Sequence, residues 1–125
     1  MRYVIELYEN DNGKAPILDY ILDLTPKQQA KVYRIVNLLE KYGHELRFPF
    51  VEKIKGRNYD GLWELRIQFG SDIFRIFYFV YTKNVAVFLH GFTKKQQKTP
   101  KKELDLAYNR MNDFLRRKNN EMGNS

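Results

Sequence analysis

The tightest constraint on this chain lies between Leu62 and Phe92, where three strand-patterned runs are separated by two very short polar turns. Leu62–Phe69 alternates, with Trp63, Leu65, Ile67 and Phe69 on one side and Leu62, Glu64, Arg66 and Gln68 on the other. That period of two is the pattern of a half-buried strand. Gly70-Ser71-Asp72 forms a hairpin turn, and Ile73–Tyr81 follows as a dense aromatic strand. Thr82-Lys83-Asn84 turns again into a third strand, Val85–Phe92. Connections this short join only antiparallel neighbours, so the segment must fold as a meander. A sheet with apolar residues on its faces needs helices to cover it.

The rest of the chain supplies them. Tyr3–Tyr8 is rich in β-branched and aromatic residues and reads as a strand, followed by a turn cluster at Asn10-Asp11-Asn12-Gly13. Pro16 opens a helix with Ile17, Leu18, Ile21, Leu22 and Leu24 at helical spacing. The next helix carries several agreeing start signals: Thr25 as N-cap, Pro26 at the first helical position and Gln28 completing a capping box. Val32, Ile35, Val36, Leu39 and Tyr42 form its apolar stripe, and Gly43 stops it. His44–Pro49 reads as a loop. Thr99-Pro100 starts a last helix with Leu104, Ala107, Met111, Phe114 and Leu115 on one face. Residues 119–125 read as a polar, disordered tail. The predicted order is β–α–α–β–β–β–α, an α+β fold over residues 1–118. It has an antiparallel sheet, two helices on one face and a C-terminal helix partly covering the other. The first strand is expected at the edge of the meander. An open, polar stretch of sheet is the expected working surface.

Charge narrows the partner. There are 22 Lys and Arg against 15 Asp and Glu, a net +7 at pH 7. Residues 94–118 hold nine of the cations (Lys94, Lys95, Lys98, Lys101, Lys102, Arg110, Arg116, Arg117, Lys118) against Glu103, Asp105 and Asp113. Such a basic quarter on a near-neutral body is either a footprint for a polyanion, nucleic acid first, or a solvated helix face. The chain has no cysteine, which excludes disulfides, cysteine-ligated metals and a cysteine nucleophile and favours a reducing compartment. No apolar run approaches the ~20 residues of a membrane span, and Glu6 and Glu9 interrupt the N-terminal stretch as a signal peptide would not. A cytoplasmic protein without membrane partners is expected. His44 and His90 are far apart, and no metal-ligand spacing, phosphate-binding glycine loop or nucleophile elbow occurs. No metal and no cofactor is expected.

The polar face of Leu62–Phe69 projects Glu64 and Arg66, and the next strand sets Arg75 among aromatics. An arginine there needs an anionic partner or a cleft. One reading is a cross-strand ion pair of Glu64 with Arg75 or Arg66. The other is a paired guanidinium site for a phosphate. Lys94, Lys95 and Lys98 run from the last strand towards a helix N-terminus, and Lys53, Lys55 and Arg57 enter the meander. Both groups are expected to converge near Arg66 and Arg75. Tyr59, Phe77, Phe79, Tyr81 and Phe92 offer stacking surfaces for unpaired bases, or else form core. A basic cleft without a metal suits RNA, which carries its own 2′-OH nucleophile: cations orient the phosphate and stabilise its developing charge. A lysine with a lowered pKa, Glu64 or His90 would move the proton. His90 reads equally as a strand residue packed on the core.

Three motifs together carry a family resemblance: Gly61-Leu62-Trp63-Glu64-Leu65-Arg66, then Phe74-Arg75-Ile76-Phe77-Tyr78, then Leu89-His90-Gly91-Phe92-Thr93-Lys94-Lys95-Gln96-Gln97-Lys98-Thr99-Pro100. With Glu103, Ala107 and Arg110, and with Pro16 and Asp19 in the first helix, the sequence resembles the HigB-type toxins of the RelE/ParE superfamily, often phage-derived, over nearly its whole length. The resemblance implies a RelE-like fold. It implies metal-independent mRNA cleavage, usually in the A site of the 70S ribosome, that arrests translation. It also implies a cognate helix-turn-helix antitoxin, through which the complex would bind operator DNA. By motif position, Arg66, Arg75 and Lys95 resemble the phosphate-contacting and catalytic residues, with Lys53, Lys55, Lys94 and Lys98 assisting. The tyrosine that the RelE branch often keeps after the last strand has no counterpart between Thr82 and Tyr108, so the resemblance names no general base. Two other activities stay open: a gyrase inhibitor of the ParE type, which shares the fold, and a phage-derived RNA- or DNA-binding module without turnover.

Overall fold

The structure, a computed structural model, describes residues 2–94 and 98–123. Its strands are β1 (Val4–Leu7), β2 (Val51–Lys53), β3 (Trp63–Phe69), β4 (Asp72–Tyr81) and β5 (Val85–Lys94). Its helices are α1 (Pro16–Leu22), α2 (Pro26–Tyr42) and α3 (Lys101–Gly123). All five strands form one sheet in the order β1-β5-β4-β3-β2.

The meander forms as its turns dictate, and α2 begins as its cap dictates. Thr25 Oγ1 accepts from the Gln28 amide at 3.2 Å, and Gln28 Oε1 accepts from the Thr25 amide at 2.9 Å. At the other end of α2, Gly43 adopts a φ of +57°. A Cβ there would lie 2.8 Å from Arg2 Cβ, because the N-terminal strand crosses the helix end. The Arg2 and Tyr3 amides both donate to the Glu40 carbonyl, satisfying a helix-end acceptor.

Three features depart from the sequence reading. First, the sheet is mixed rather than antiparallel: β1 lies at the edge beside β5 and parallel to it, Val4 opposite Val85 and Leu7 opposite Phe88. Two helices and strands β2 to β4 separate these strands, a connection long enough for parallel pairing. Second, a short strand, β2, adds to β3 with Val51 opposite Leu65 and Lys53 opposite Trp63. Three residues, two of them charged, carry no periodic signal. Third, α3 runs to Gly123, so residues 119–123 are helical where a tail is predicted.

Helices cover both sheet faces. On one, Ile17 and Ile21 of α1 and Val32, Ile35 and Leu39 of α2 pack on Leu65, Ile67, Phe74, Ile76 and Phe88. On the other, Ala107, Met111 and Phe114 of α3 pack on Leu62, Phe77, Phe79, Val87 and Leu89. Phe77 and Phe79 are 0% and 5% exposed, so they are core and not stacking platforms. The cations of α3 mostly fasten the helix. Arg110 donates to the Leu89 carbonyl at 2.9 Å, and Arg117 donates to the Glu9 carbonyl and Asp11 at 2.7 Å each. Arg116 pairs with Asp113, Lys101 with Asp105 and Lys118 with Glu121. Asp113 also accepts from the Tyr8 hydroxyl at 2.7 Å, tying α3 back to the end of β1.

A bulge in β5 sets up the polar end of the sheet. Phe77 pairs with His90 but Tyr78 pairs with Phe88, which leaves Leu89 as an extra residue. The extra residue reverses the alternation of β5. Val87 and Leu89 face α3; beyond the bulge His90, Phe92 and Lys94 share that face, while Gly91 and Thr93 turn towards α1. The Tyr20 hydroxyl lies 2.9 Å from Thr93 Oγ1. A Cβ on Gly91 would stand 2.6 Å from Tyr20 Cδ2 and 2.7 Å from Ile17 Cδ1. Gly91→Ala therefore forces α1 off the sheet and destabilises the protein by about 1–3 kcal/mol, the usual cost of overpacking, read as a lower urea midpoint.

Candidate functional site

Across the sheet, Arg66 on β3 stands opposite Arg75 on β4, and Arg75 opposite Phe92 on β5. The row on one side holds Glu64, Phe77 and His90; the row on the other holds Gln68, Ile73 and Lys94. Two arginines directly opposite one another repel. Here carboxylates resolve the conflict. Arg75 Nη1 donates to Glu64 Oε2 at 2.7 Å, and the same oxygen lies 3.9 Å from Arg66 Nε. Arg66 Nη1 donates to Glu52 Oε2 on β2 at 3.3 Å. The Arg75 and Glu64 side chains are 5% and 3% exposed, and Arg66 is 23% exposed. Among the described residues, Glu64 Oε1 and Arg75 Nε are buried with no hydrogen-bond partner.

Lys94 completes the cluster. It is buried, and its ammonium donates to Thr99 Oγ1 at 3.2 Å. Burial pushes its pKa below the usual lysine value; the Arg75 and Arg66 charges push the same way, and Glu64 and Glu52 oppose them. The site thus holds three cations against two carboxylates, with Arg66 the group that water and an anion reach. The sequence motifs rank Lys95 above Lys94, but the strand parity after the bulge is what brings Lys94 to this face. Lys95 lies outside the described residues.

The other predicted residues go elsewhere. Lys53, Lys55 and Arg57 do not converge on the arginines. They line an open hollow of about 710 Å3 with Ile54, Gly56 and Asp60. Lys98 is exposed beyond β5. His90 takes the packing role. Its ring packs against both Phe77 and Phe92, with centroids 6.3 and 6.1 Å away, in a three-ring cluster. Arg110 Nη1 lies 3.3 Å from Nδ1, and Nε2 bonds to Glu103. An arginine only donates, so Nδ1 accepts and Nε2 carries the proton: the ring is neutral and both nitrogens are engaged. Burial lowers its pKa, with Glu103 opposing and Arg110 reinforcing the shift. The folded state then binds fewer protons than the unfolded chain as pH falls below the ordinary value of 6.5. Stability is full above that value and drops as the pH falls from it towards the depressed folded-state value. His90→Gln flattens this part of the melting-temperature profile while leaving the steeper carboxylate loss at lower pH.

No three His, Asp or Glu side chains come together as metal ligands among the described residues. No helix among them is long and apolar enough to cross a membrane.

Fold and site together define a small α+β protein with a buried ion-pair network and a solvent-reachable arginine on one sheet face. The sequence profile of the phage-derived protein Gp49-like family (DUF891) matches residues 19–112, and the chain belongs to that family, part of the RelE/ParE toxin-type superfamily. The matched range takes in α1 from Asp19, α2, strands β2 to β5 and α3 as far as Asn112, and so every arginine and carboxylate of the site. No curated protein matches the chain significantly.

Proposed function

We propose that this protein is the toxin of a type II toxin–antitoxin pair, a HigB-like, metal-independent endoribonuclease that cuts mRNA on the ribosome. The observation that carries this reading is the aligned pair Arg66 and Arg75 beside buried Lys94, in a chain of a toxin-type family. The substrate's 2′-hydroxyl gives its proton to solvent as its oxygen attacks the adjacent phosphorus. The bond to the 5′-oxygen breaks, leaving a 2′,3′-cyclic phosphate and a 5′-hydroxyl. Arg66 contacts the phosphate and stabilises the charge that grows on its oxygens. Arg75 lies behind it, held by Glu64, and adds positive potential from a site with little water. Lys94, with its depressed pKa, gives up a proton more readily than an exposed lysine, which suits it to protonate the leaving 5′-oxygen. Lys95 assists from the adjoining segment. Lys53, Lys55, Arg57 and Lys98 grip the phosphates of the RNA or ribosome away from the reacting bond. A helix-turn-helix antitoxin neutralises the protein and carries it to operator DNA.

The test is primer extension on a reporter mRNA after induction in growing cells. New 5′ ends within codons, dependent on translation, are the expected result. DNA damage with intact mRNA would identify a gyrase inhibitor. Salt-sensitive nucleic-acid binding with neither effect would identify a binding module without turnover.

A further inference from the structure

Beside Arg66 the molecule carries a second feature that phosphate binding does not use. Between α2 and the end of β3 lies a cleft of about 310 Å3, lined by Lys31, Ile35, Phe48, Phe50, Arg66 and Gln68 among others. It exists because β2 begins only at Val51, opposite Leu65, and pairs with only the first half of β3, so the loop before β2, not a strand, flanks Arg66 and Gln68. That loop presents Phe48 at 69% exposure and Phe50 at 36%. Bare phenylalanine on a surface is a cost unless something covers it. The Arg66 guanidinium stands 5.7 Å from the Phe48 ring centroid, a cation–π arrangement that orients the ring. The lining carries the cations Lys31 and Arg66 and no carboxylate. Gln68 donates through Nε2 to the Gly70 carbonyl at 2.8 Å, which fixes which end of its amide is the acceptor.

We infer that this cleft is a nucleobase subsite, in which Phe48 stacks the base of the nucleotide whose phosphate Arg66 holds. Arg66 belongs to both features, so a phosphate on its guanidinium has its own nucleoside within reach of the cleft. An aromatic face flanked by cations suits an unpaired base attached to a phosphate better than it suits an acidic or purely apolar partner. Gln68 adds an amide with one acceptor at the mouth, the group that meets an exocyclic amine. This inference rests on the reading that Arg66 grips RNA.

The experiment measures anisotropy of a short, labelled, 2′-O-methyl RNA, which cannot be cut, and of an abasic oligomer of the same length and phosphate count. The wild-type protein is expected to bind the base-bearing RNA about ten-fold or more tightly than the abasic chain, the range that single-base stacking gives. Phe48→Ala brings the two affinities together with the abasic value unchanged, and Phe48→Trp keeps the preference. Arg66→Ala weakens both ligands. A base preference that survives Phe48→Ala overturns the subsite and leaves RNA binding standing. Equal wild-type affinity for the two ligands overturns it in the same way. Loss of neither ligand in Arg66→Ala overturns the underlying reading. Phe48 is exposed, so its truncation leaves folding intact, which a melting curve verifies.

Discussion

Arg66→Ala is expected to lower mRNA cleavage by about 10²–10³-fold, and with it to abolish growth arrest, while the protein melts within a few degrees of the wild type. The rate effect is the usual loss when one preorganised charge is taken from a developing oxyanion. The small stability effect follows from the position of Arg66. Its ion pair with Glu52 is partly solvated, at 23% and 44% exposure, and exposed pairs contribute little. Arg66→Lys keeps the charge but loses the planar fork, and recovers only a fraction of the activity. Primer extension and a thermal melt on the same preparations check both halves. Full toxicity in Arg66→Ala would remove this residue from the chemistry.

The largest stability effect belongs to Glu64. Glu64→Ala leaves the Arg75 guanidinium buried without its counter-ion and facing Arg66 across the hairpin. Breaking such a pair from one side costs about 3–5 kcal/mol. For a domain of this size that is a fall in melting temperature of about 10–20 °C. The companion double variant separates the causes. In Glu64→Leu with Arg75→Met both charges leave together, and a buried pair replaced by apolar groups is often neutral for stability. The double variant is therefore expected to melt near the wild type yet remain inactive. If it melts as low as the single variant, packing and not the unpaired charge explains the loss. A measured coupling near zero in the full cycle would show that the two side chains do not act as a pair.

Both expectations follow from a site only half legible in the sequence. The alternation in Leu62–Phe69 is local, and it correctly puts Glu64 and Arg66 on one face with Leu65 and Ile67 on the other. The two hairpin turns then bring Arg75 opposite Arg66. Of the two readings of the trio, the structure realises the ion pair between Glu64 and Arg75, while Arg66 pairs with Glu52 and stays partly exposed. Charge counting was less informative. The basic stretch 94–118 reads as either a polyanion footprint or a solvated helix face, but Arg110, Arg116 and Arg117 are engaged with Leu89, Asp113 and Asp11. Each of those partners except Asp113 lies more than 20 residues away in the chain, so a tally of charges along it could not find them. Likewise His90 looks like a proton carrier by residue type, and only the approach of Glu103 and Arg110 from α3 shows that both its nitrogens are occupied.

What the sequence determined by itself is whatever depends on neighbours in the chain. The capping box of α2, the stop at Gly43 and the meander all follow from short patterns, because turn geometry and helix-end hydrogen bonds are satisfied within a few residues. The tertiary structure decided the rest. It set the parallel docking of β1, the short β2 that leaves a cleft beside Arg66, and the extra residue at Leu89 that turns Lys94 towards Arg75. Each of these is a choice of register or partner between distant segments. Such choices are fixed by which arrangement buries the two apolar faces and pairs the charges at once, an energy that no local window contains.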